Sequence, residues 1–339
     1  MPESLSWFCK GNCPLYLAPM AGFTDIAFRE LCKAQGADVM VTEFVQSEPL
    51  IREVARTWRT IDFTEAQRPM GVQIFGATPD SMARAAQLIA ERLRPDFIDI
   101  NFGCPAHNVV EQNAGSGLLR CPALLADVAG AVVRAVPEVP VTAKMRLGWD
   151  AESIVAADVA RRLEDGGVRA IAVHGRTKAQ GYSGEADWEE IAKVVASVQV
   201  PVIGNGDIRS GEMAVRRRRE SGVAGLMIGR GALGNPWLFA ETKAWLRGEE
   251  ISFAPTAEER WETLLAYARI LMADQEREAY RRESADVRWM LSKLHPFTKD
   301  LPGSRKLRAQ LSHCHSLEEV ERLVALCRGS VDTQDAGEG

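Results

Sequence analysis

Short apolar or β-branched runs alternate along the first 240 residues with segments whose apolar residues recur at helical spacing. The runs are PLYLAPM (14–20), VMVTEFV (39–45), MGVQIFG (70–76), FIDINFG (97–103), VTAKMRL (141–147), AIAVHGR (170–176), PVIGNGD (201–207) and GLMIGRG (225–231). Between them lie amphipathic segments such as DSMARAAQLIAERL (80–93), LLADVAGAVVRAV (124–136), SIVAADVARRLEDGG (153–167) and WEEIAKVVASV (188–198). This alternation fits a closed parallel barrel or an open doubly wound sheet. Eight strand–helix units favour the barrel, so the pattern predicts an α/β fold of the (β/α)8 TIM-barrel type.

From about residue 250 the pattern changes to helical segments alone: FAPTAEERWETLLAYARILMADQ, ADVRWMLSKL and SLEEVERLVALC. They predict a small all-α C-terminal domain whose helices need one another's contacts. The division expected is a barrel over 1–248, a helical domain over 249–330 and a disordered tail over 331–339 (VDTQDAGEG).

Composition narrows this only a little. With 46% apolar and 26% charged residues, the 339-residue chain can bury a substantial core. No apolar run approaches the roughly 20 residues of a membrane span, and the N-terminus lacks the features of a signal peptide, so a cytoplasmic location without membrane association is expected. The net charge of −5 gives no whole-molecule case for nucleic acid, so any basic surface must be local. Seven scattered cysteines do not resemble a disulfide framework. The HCH at 313–315 has no CxxC or HxxxH partner with which to form a zinc site. No metal is expected.

Chemistry gathers where a barrel puts it, at the C-terminal ends of the strands. Those ends carry Met20 and Gly22, Gln73, Asn101 and Cys104, Lys144 and Arg146, His174 and Arg176, Asn205 and Asp207, and Arg230. Packing alone calls for apolar residues there. After the seventh and eighth strands, GNGD (204–207) and GRG (229–231) supply glycines that let backbone approach a phosphate, with Arg230 to neutralise it. A phosphorylated ligand is therefore expected. In NFGCPAHNVVEQNAGSGLL (101–119), Cys104 reads as either a packed thiol or a reagent.

The ordered set APMAGFTDIAFR (18–29), QIFG (73–76), DINFGCP with the following loop (99–109), GSGLL (115–119), AKMRLGW (143–149), VHGRTKAQGYSG (173–184), VIGNGDI (202–208) and MIGRGALGNPW (227–237) resembles the flavin-dependent tRNA dihydrouridine synthases. The resemblance spans the whole barrel. It implies an NAD(P)H-dependent oxidoreductase that reduces the C5=C6 bond of specific uridines in tRNA, with FMN as cofactor and NADPH as reductant. It further implies FMN contacts from Pro19, Met20, Ala21, Gln73, Lys144, His174, Asn205, Gly206, Asp207, Gly229 and Arg230. Lys144 would stabilise the anionic reduced flavin. Asn101, Arg146 and Arg176 would contact the substrate, with His174 also at the uracil edge.

In the same family the GCP cysteine is an acid, so the resemblance implies that Cys104 is the catalytic residue. It implies that hydride would pass from FMN N5 to C6 and that Cys104 would give a proton to C5. Carbon accepts that proton slowly unless a donor is fixed nearby, and a thiol with pKa near about 8.5 keeps its proton at neutral pH. The target base must be extruded from folded tRNA.

The stretch 281–308 carries eight Lys/Arg against three Asp/Glu, a local excess suited to phosphate contacts. The resemblance assigns tRNA binding to this helical region, with no obligate protein partner. RRRR (216–219) is expected on the outer wall of the barrel. After the GCP segment stand His107, Asn108, Glu111 and Gln112, where family members often carry lysines. Two other readings are a barrel flavoenzyme acting on a free pyrimidine or small enone, and a tRNA-binding protein with vestigial redox chemistry.

Overall fold

The computed structural model describes residues 5–9, 11–251, 253–278, 288–299, 301 and 304–335. Among the described residues nine strands form one parallel sheet: β1 Leu15–Leu17, β2 Met40–Val41, β3 Val45–Gln46, β4 Met70–Phe75, β5 Phe97–Phe102, β6 Val141–Arg146, β7 Ala170–His174, β8 Val202–Asn205 and β9 Gly225–Ile228. The order β1-β9-β8-β7-β6-β5-β4-β2 closes into a barrel where Tyr16 bridges Val39 and the Leu17 N–H donates to the Val39 carbonyl at 3.0 Å. Eight parallel strands alternating with helices are the TIM barrel that the spacing predicts.

Period-2 alternation explains what each strand residue does. Val72, Ile74, Ile98, Ile100, Ala143, Met145, Ile171 and Val173 face outward and pack with the helices in the main core. The neighbours between them face the barrel interior. At its lower end the interior is closed by an apolar plug of Leu5, Phe8, Tyr16, Phe97, Ala170 and Ile203, with Trp7 donating to the Tyr16 hydroxyl at 2.7 Å. A Cβ at Gly71 would lie 2.2 Å from the Phe97 ring, so that position has room only for hydrogen. At the upper end the inward positions turn polar: Gln73, Asp99, Asn101, Thr142, Arg146, His174 and Asn205 are all buried there.

The helices read from the sequence form within a few residues of their expected limits: Pro79–Leu93, Pro122–Ala135, Ala156–Asp165 and Trp188–Ser197. Local chemistry starts them. Proline opens the first two, whereas the Asp187 side chain accepts the Glu190 N–H at the head of the fourth. Met82, Ala85, Ala86 and Ile89 form the buried stripe of the first.

The expected second strand (39–45) is split into β2 and β3, both paired with β4. Between them the Thr42 hydroxyl accepts the Gln73 N–H at 3.1 Å, so a side chain takes over from the ladder. RRRR lies on helix Gly211–Ser221, where Arg216 and Arg217 pair with Glu220 on a solvated outer face.

Beyond Leu238–Leu246 the described residues form helices Ala257–Glu278, Arg288–Leu294, Ser304–Leu311 and Leu317–Asp335, with a turn at His295–Thr298. Trp261, Leu264, Tyr267, Ala268 and Phe297 join these helices to the main core, and the Tyr267 ring packs at a tilt between Phe28 (6.0 Å) and Phe297 (5.3 Å). Lys293 pairs with Asp25 at the head of helix Ile26–Ala34. Of the basic stretch 281–308, residues 281–287, 300, 302 and 303 lie outside the described residues, as do 336–339 of the expected tail. Residues 331–335 continue the last helix. Among the described residues no helix is long and apolar enough to cross a membrane.

Candidate active site at the barrel mouth

A cavity of about 450 Å³ opens at the C-terminal ends of the strands, a size usual for a small-molecule site. Nine of the residues expected there line it: Pro19, Met20, Lys144, His174, Asn205, Gly206, Asp207, Gly229 and Arg230. Ala21, Gln73, Asn101, Cys104, Arg146 and Arg176 do not. All of these but Ala21 are buried, and their hydrogen bonds show what they hold.

The first group is a relay across three strands. The Thr142 hydroxyl and Gln73 Nε2 each donate to Asp99, both at 2.5 Å. Gln73 Oε1 accepts from Asn101 Nδ2 at 2.8 Å, and Asn101 Oδ1 accepts the N–H groups of Gly103 (3.0 Å) and Cys104 (2.8 Å). An ionised carboxylate only accepts, so Asp99 fixes which way the Gln73 amide faces, and Gln73 in turn fixes Asn101. The relay ends on the backbone of the thiol.

Cys104 sits in a small apolar cluster with Phe75, Val109 and Ala114 and is 9% exposed. Burial pushes its thiol pKa up, opposed by the Ala106 N–H and by the charges of Arg146 and Lys144. The small residues of GSGLL have a local purpose. Gly115 has φ +56°, a Cβ there would lie 3.0 Å from the Cys104 carbonyl oxygen, and the Ser116 hydroxyl donates to the same oxygen at 2.8 Å.

Arg146 is 2% exposed and ties two loops together. Its Nε donates to the Gly103 carbonyl at 2.9 Å, and Nη1 donates to those of Thr177 (2.7 Å) and Gly181 (2.8 Å). Among the described residues only Nη2 lacks a protein acceptor. Arg176 similarly donates through Nη2 to Asp207 and to the Gly184 carbonyl, each at 2.6 Å. Burial works to raise the Asp207 pKa, but the Arg176 and Ala186 hydrogen bonds outweigh it and hold the carboxyl below its ordinary value. His174 is driven down to about 2 by burial and by the cations Lys144, Arg146, Arg176 and Arg230. Its imidazole is therefore neutral and able to accept. Burial, with Arg146 nearby, lowers Lys144 to about 8, so it remains mostly charged at pH 7.

The expected glycines Gly206 and Gly229 stand after β8 and β9. Gly206 has φ +136°, and a Cβ there would lie 2.4 Å from Ala186 Cβ. Arg230 lies 3.7 Å from Asp207 Oδ1 and 4.1 Å from the Tyr182 ring centroid.

This arrangement coincides with a family match. The family model for dihydrouridine synthase covers residues 16–331. The chain belongs to the dihydrouridine synthase family. It is 42% identical to tRNA-dihydrouridine synthase B of Pseudomonas aeruginosa over 88% of this chain and 87% of that protein. It is 39% identical to tRNA-dihydrouridine synthase B of Xanthomonas campestris (95% and 93%) and 35% identical to a probable tRNA-dihydrouridine synthase of Aquifex aeolicus (94% and 96%). As a dihydrouridine synthase, the protein is an oxidoreductase.

Asp99, Thr142, Tyr182, Arg260 and Lys299 were not among the expected site residues. For Asp99 a signal existed, since it stands two residues before Asn101 on the same strand face. Burial raises its carboxyl to about 6, against the hydrogen bonds from Thr142 and Gln73 and the charge of Lys144. Because the folded value lies above the ordinary 3.8, the native state binds the extra proton between about pH 4 and 6. Stability therefore falls as pH rises through that window and is flat above it, where the ionised group costs roughly 3 kcal/mol. Asp99→Asn retains an acceptor for Gln73 and can donate to Thr142 Oγ1. In thermal melts it should gain on the parent protein between about pH 4 and 6 and keep that gain at pH 7. A difference independent of pH would contradict the assignment.

Proposed function

We propose that this dihydrouridine synthase reduces the C5=C6 bond of uridines in tRNA in the cytoplasm, with FMN in the barrel-mouth cavity and NADPH as reductant. The barrel (1–248) carries the chemistry and the helical region from 249 onward, whose last helix runs to Asp335, holds the tRNA. Exposed Arg305 and Lys306 on helix Ser304–Leu311 give that region described cations suited to RNA phosphates.

The cavity fits FMN on three counts. Ala18, Pro19, Met20 and Met227 supply an apolar wall for a ring system. Asp207 Oδ1 is buried without a hydrogen-bond donor among the described residues, which suits a polyol hydroxyl. Arg209 and Arg230 suit a phosphate. When bound and reduced, the flavin supplies the hydride that reaches C6.

The observation that carries the reading is the anchored, buried thiol at the barrel mouth, which feels the charge of Lys144 in the cavity wall. Cys104 keeps its proton at neutral pH because burial disfavours the thiolate, so it reaches the reaction as an acid. As the proton passes from Sγ to C5, the charge left on sulfur is met by Arg146, Lys144 and the Ala106 N–H. Asn101 uses Oδ1 to hold the thiol's backbone, leaving one Nδ2 hydrogen for the base. Neutral His174 and Arg146 Nη2 are the other groups suited to the uracil edge.

Mapping dihydrouridine in tRNA from a deletion strain tests the substrate. Loss at defined positions is expected, restored by the intact gene; unchanged tRNA would sink the reading.

A further inference from the structure

The barrel does not complete the cavity. Arg260, Pro296 and Lys299 also line it, and all three come from the helical region. Five cations face the space, Lys144, Arg209, Arg230, Arg260 and Lys299, against the single carboxylate of Asp207. Asp207 is already bonded by Arg176 at 2.6 Å and approached by Arg230 at 3.7 Å. Arg209 also acts on Asp207, whereas Arg260 and Lys299 pair with no carboxylate among the described residues. The excess of positive charge is larger than anything the strand ends required.

Two contacts put the helical residues there. Arg260, in the first turn of helix Ala257–Glu278, lies over the Trp237 ring at 5.6 Å. Lys299 follows the turn His295–Thr298, whose Pro296 carbonyl oxygen lies 2.3 Å from where a Cβ at Gly234 would be; Gly234 has φ +70°. Gly234 and Trp237 both belong to GRGALGNPW, the segment that carries Arg230. One loop therefore seats both helical elements and presents the barrel's own phosphate cation. Its short helix, Arg230–Ala232, is only 3 residues long, so side chains must supply most of the positive potential.

We propose that Arg260 and Lys299 close the phosphate end of the flavin cavity, so that the helical region is part of the cofactor site as well as a platform for RNA. This rests on the FMN reading above. A phosphomonoester brings a charge of about −1.5 to −2, and Arg209 and Arg230, which would meet it, both also lie in the field of Asp207, so Arg260 and Lys299 are the cations that complete the balance. Affinity for FMN then depends on the helical region being docked on the GRGALGNPW loop.

The test measures flavin affinity of apoprotein by fluorescence, with FMN and with riboflavin, in the parent chain, in Arg260→Ala/Lys299→Ala and in Arg230→Ala. The double variant should weaken FMN by about tenfold or more, the scale of losing charge-assisted hydrogen bonds, and leave riboflavin within about twofold. Raising the salt concentration should narrow the FMN difference. Equal weakening of both flavins would assign the two side chains to packing and overturn the proposal. So would unchanged FMN affinity accompanied by weaker tRNA binding, which would give these cations to the RNA backbone. Riboflavin binding also reports that the variant is folded. If Arg230→Ala weakens FMN while the double variant does not, the proposal alone fails; if the parent chain binds neither flavin, the FMN reading fails with it.

Discussion

Cys104→Ala should slow reduction of the uracil ring by about 10²–10⁴-fold, the usual cost of losing a positioned general acid. Flavin binding and flavin reduction by NADPH should remain near parental rates, because Cys104 does not line the cavity and its loop is held through the backbone. The two half-reactions, followed separately by flavin absorbance in stopped flow, make the distinction. A parallel loss in both would mean that the substitution had collapsed the mouth of the barrel. No loss in either would make Cys104 a packed thiol, the alternative its segment left open. Cys104→Ser, a weaker acid at the same place, is expected to fall with Ala rather than with the parent.

Arg146 offers the second large effect, on stability as well as rate. Its guanidinium serves three carbonyls from two separate loops while almost wholly buried. Arg146→Ala leaves those carbonyls without a donor. At roughly 1–3 kcal/mol for each orphaned buried group, partly offset by entering water, about 3–5 kcal/mol of folding stability should be lost. Arg146→Lys should recover only part, because a single ammonium cannot reproduce a fork that spans Gly103, Thr177 and Gly181. Urea unfolding measures the loss, and a lysine variant as stable as the parent would contradict the account. Because Gly103 precedes Cys104, ring reduction should suffer in both variants even where the fold survives.

The barrel was legible because its strands are buried on both faces, so they read as dense apolar runs bounded by polar ends. Legibility failed at 39–45, where VMVTEFV reads as one strand but four steps from Val41 to Val45 match only three from Gly71 to Ile74 on β4, and the Thr42 hydroxyl takes the Gln73 N–H. The alternation likewise led to nine residues that line the cavity, since each strand end must present an inward residue at the mouth. It could not say which of them face the ligand and which brace the others. Asn101 and Arg146, expected to meet the base, spend most of their hydrogen bonds on loops. Asp99 was legible in principle, being in phase with Asn101. Arg260 and Lys299 were not, because their place depends on the docking of Trp237 and Gly234 against helices far along the chain.

Single turnover tests the central claim most directly. Protein carrying FMN is reduced anaerobically with NADPH, freed of excess reductant and mixed with tRNA lacking dihydrouridine. The account expects the flavin to reoxidise as dihydrouridine appears, one base for each flavin, with free uridine inert under the same conditions. Reduced flavin that persists in the presence of tRNA, or that reoxidises equally well with a small enone or a free pyrimidine, would contradict it.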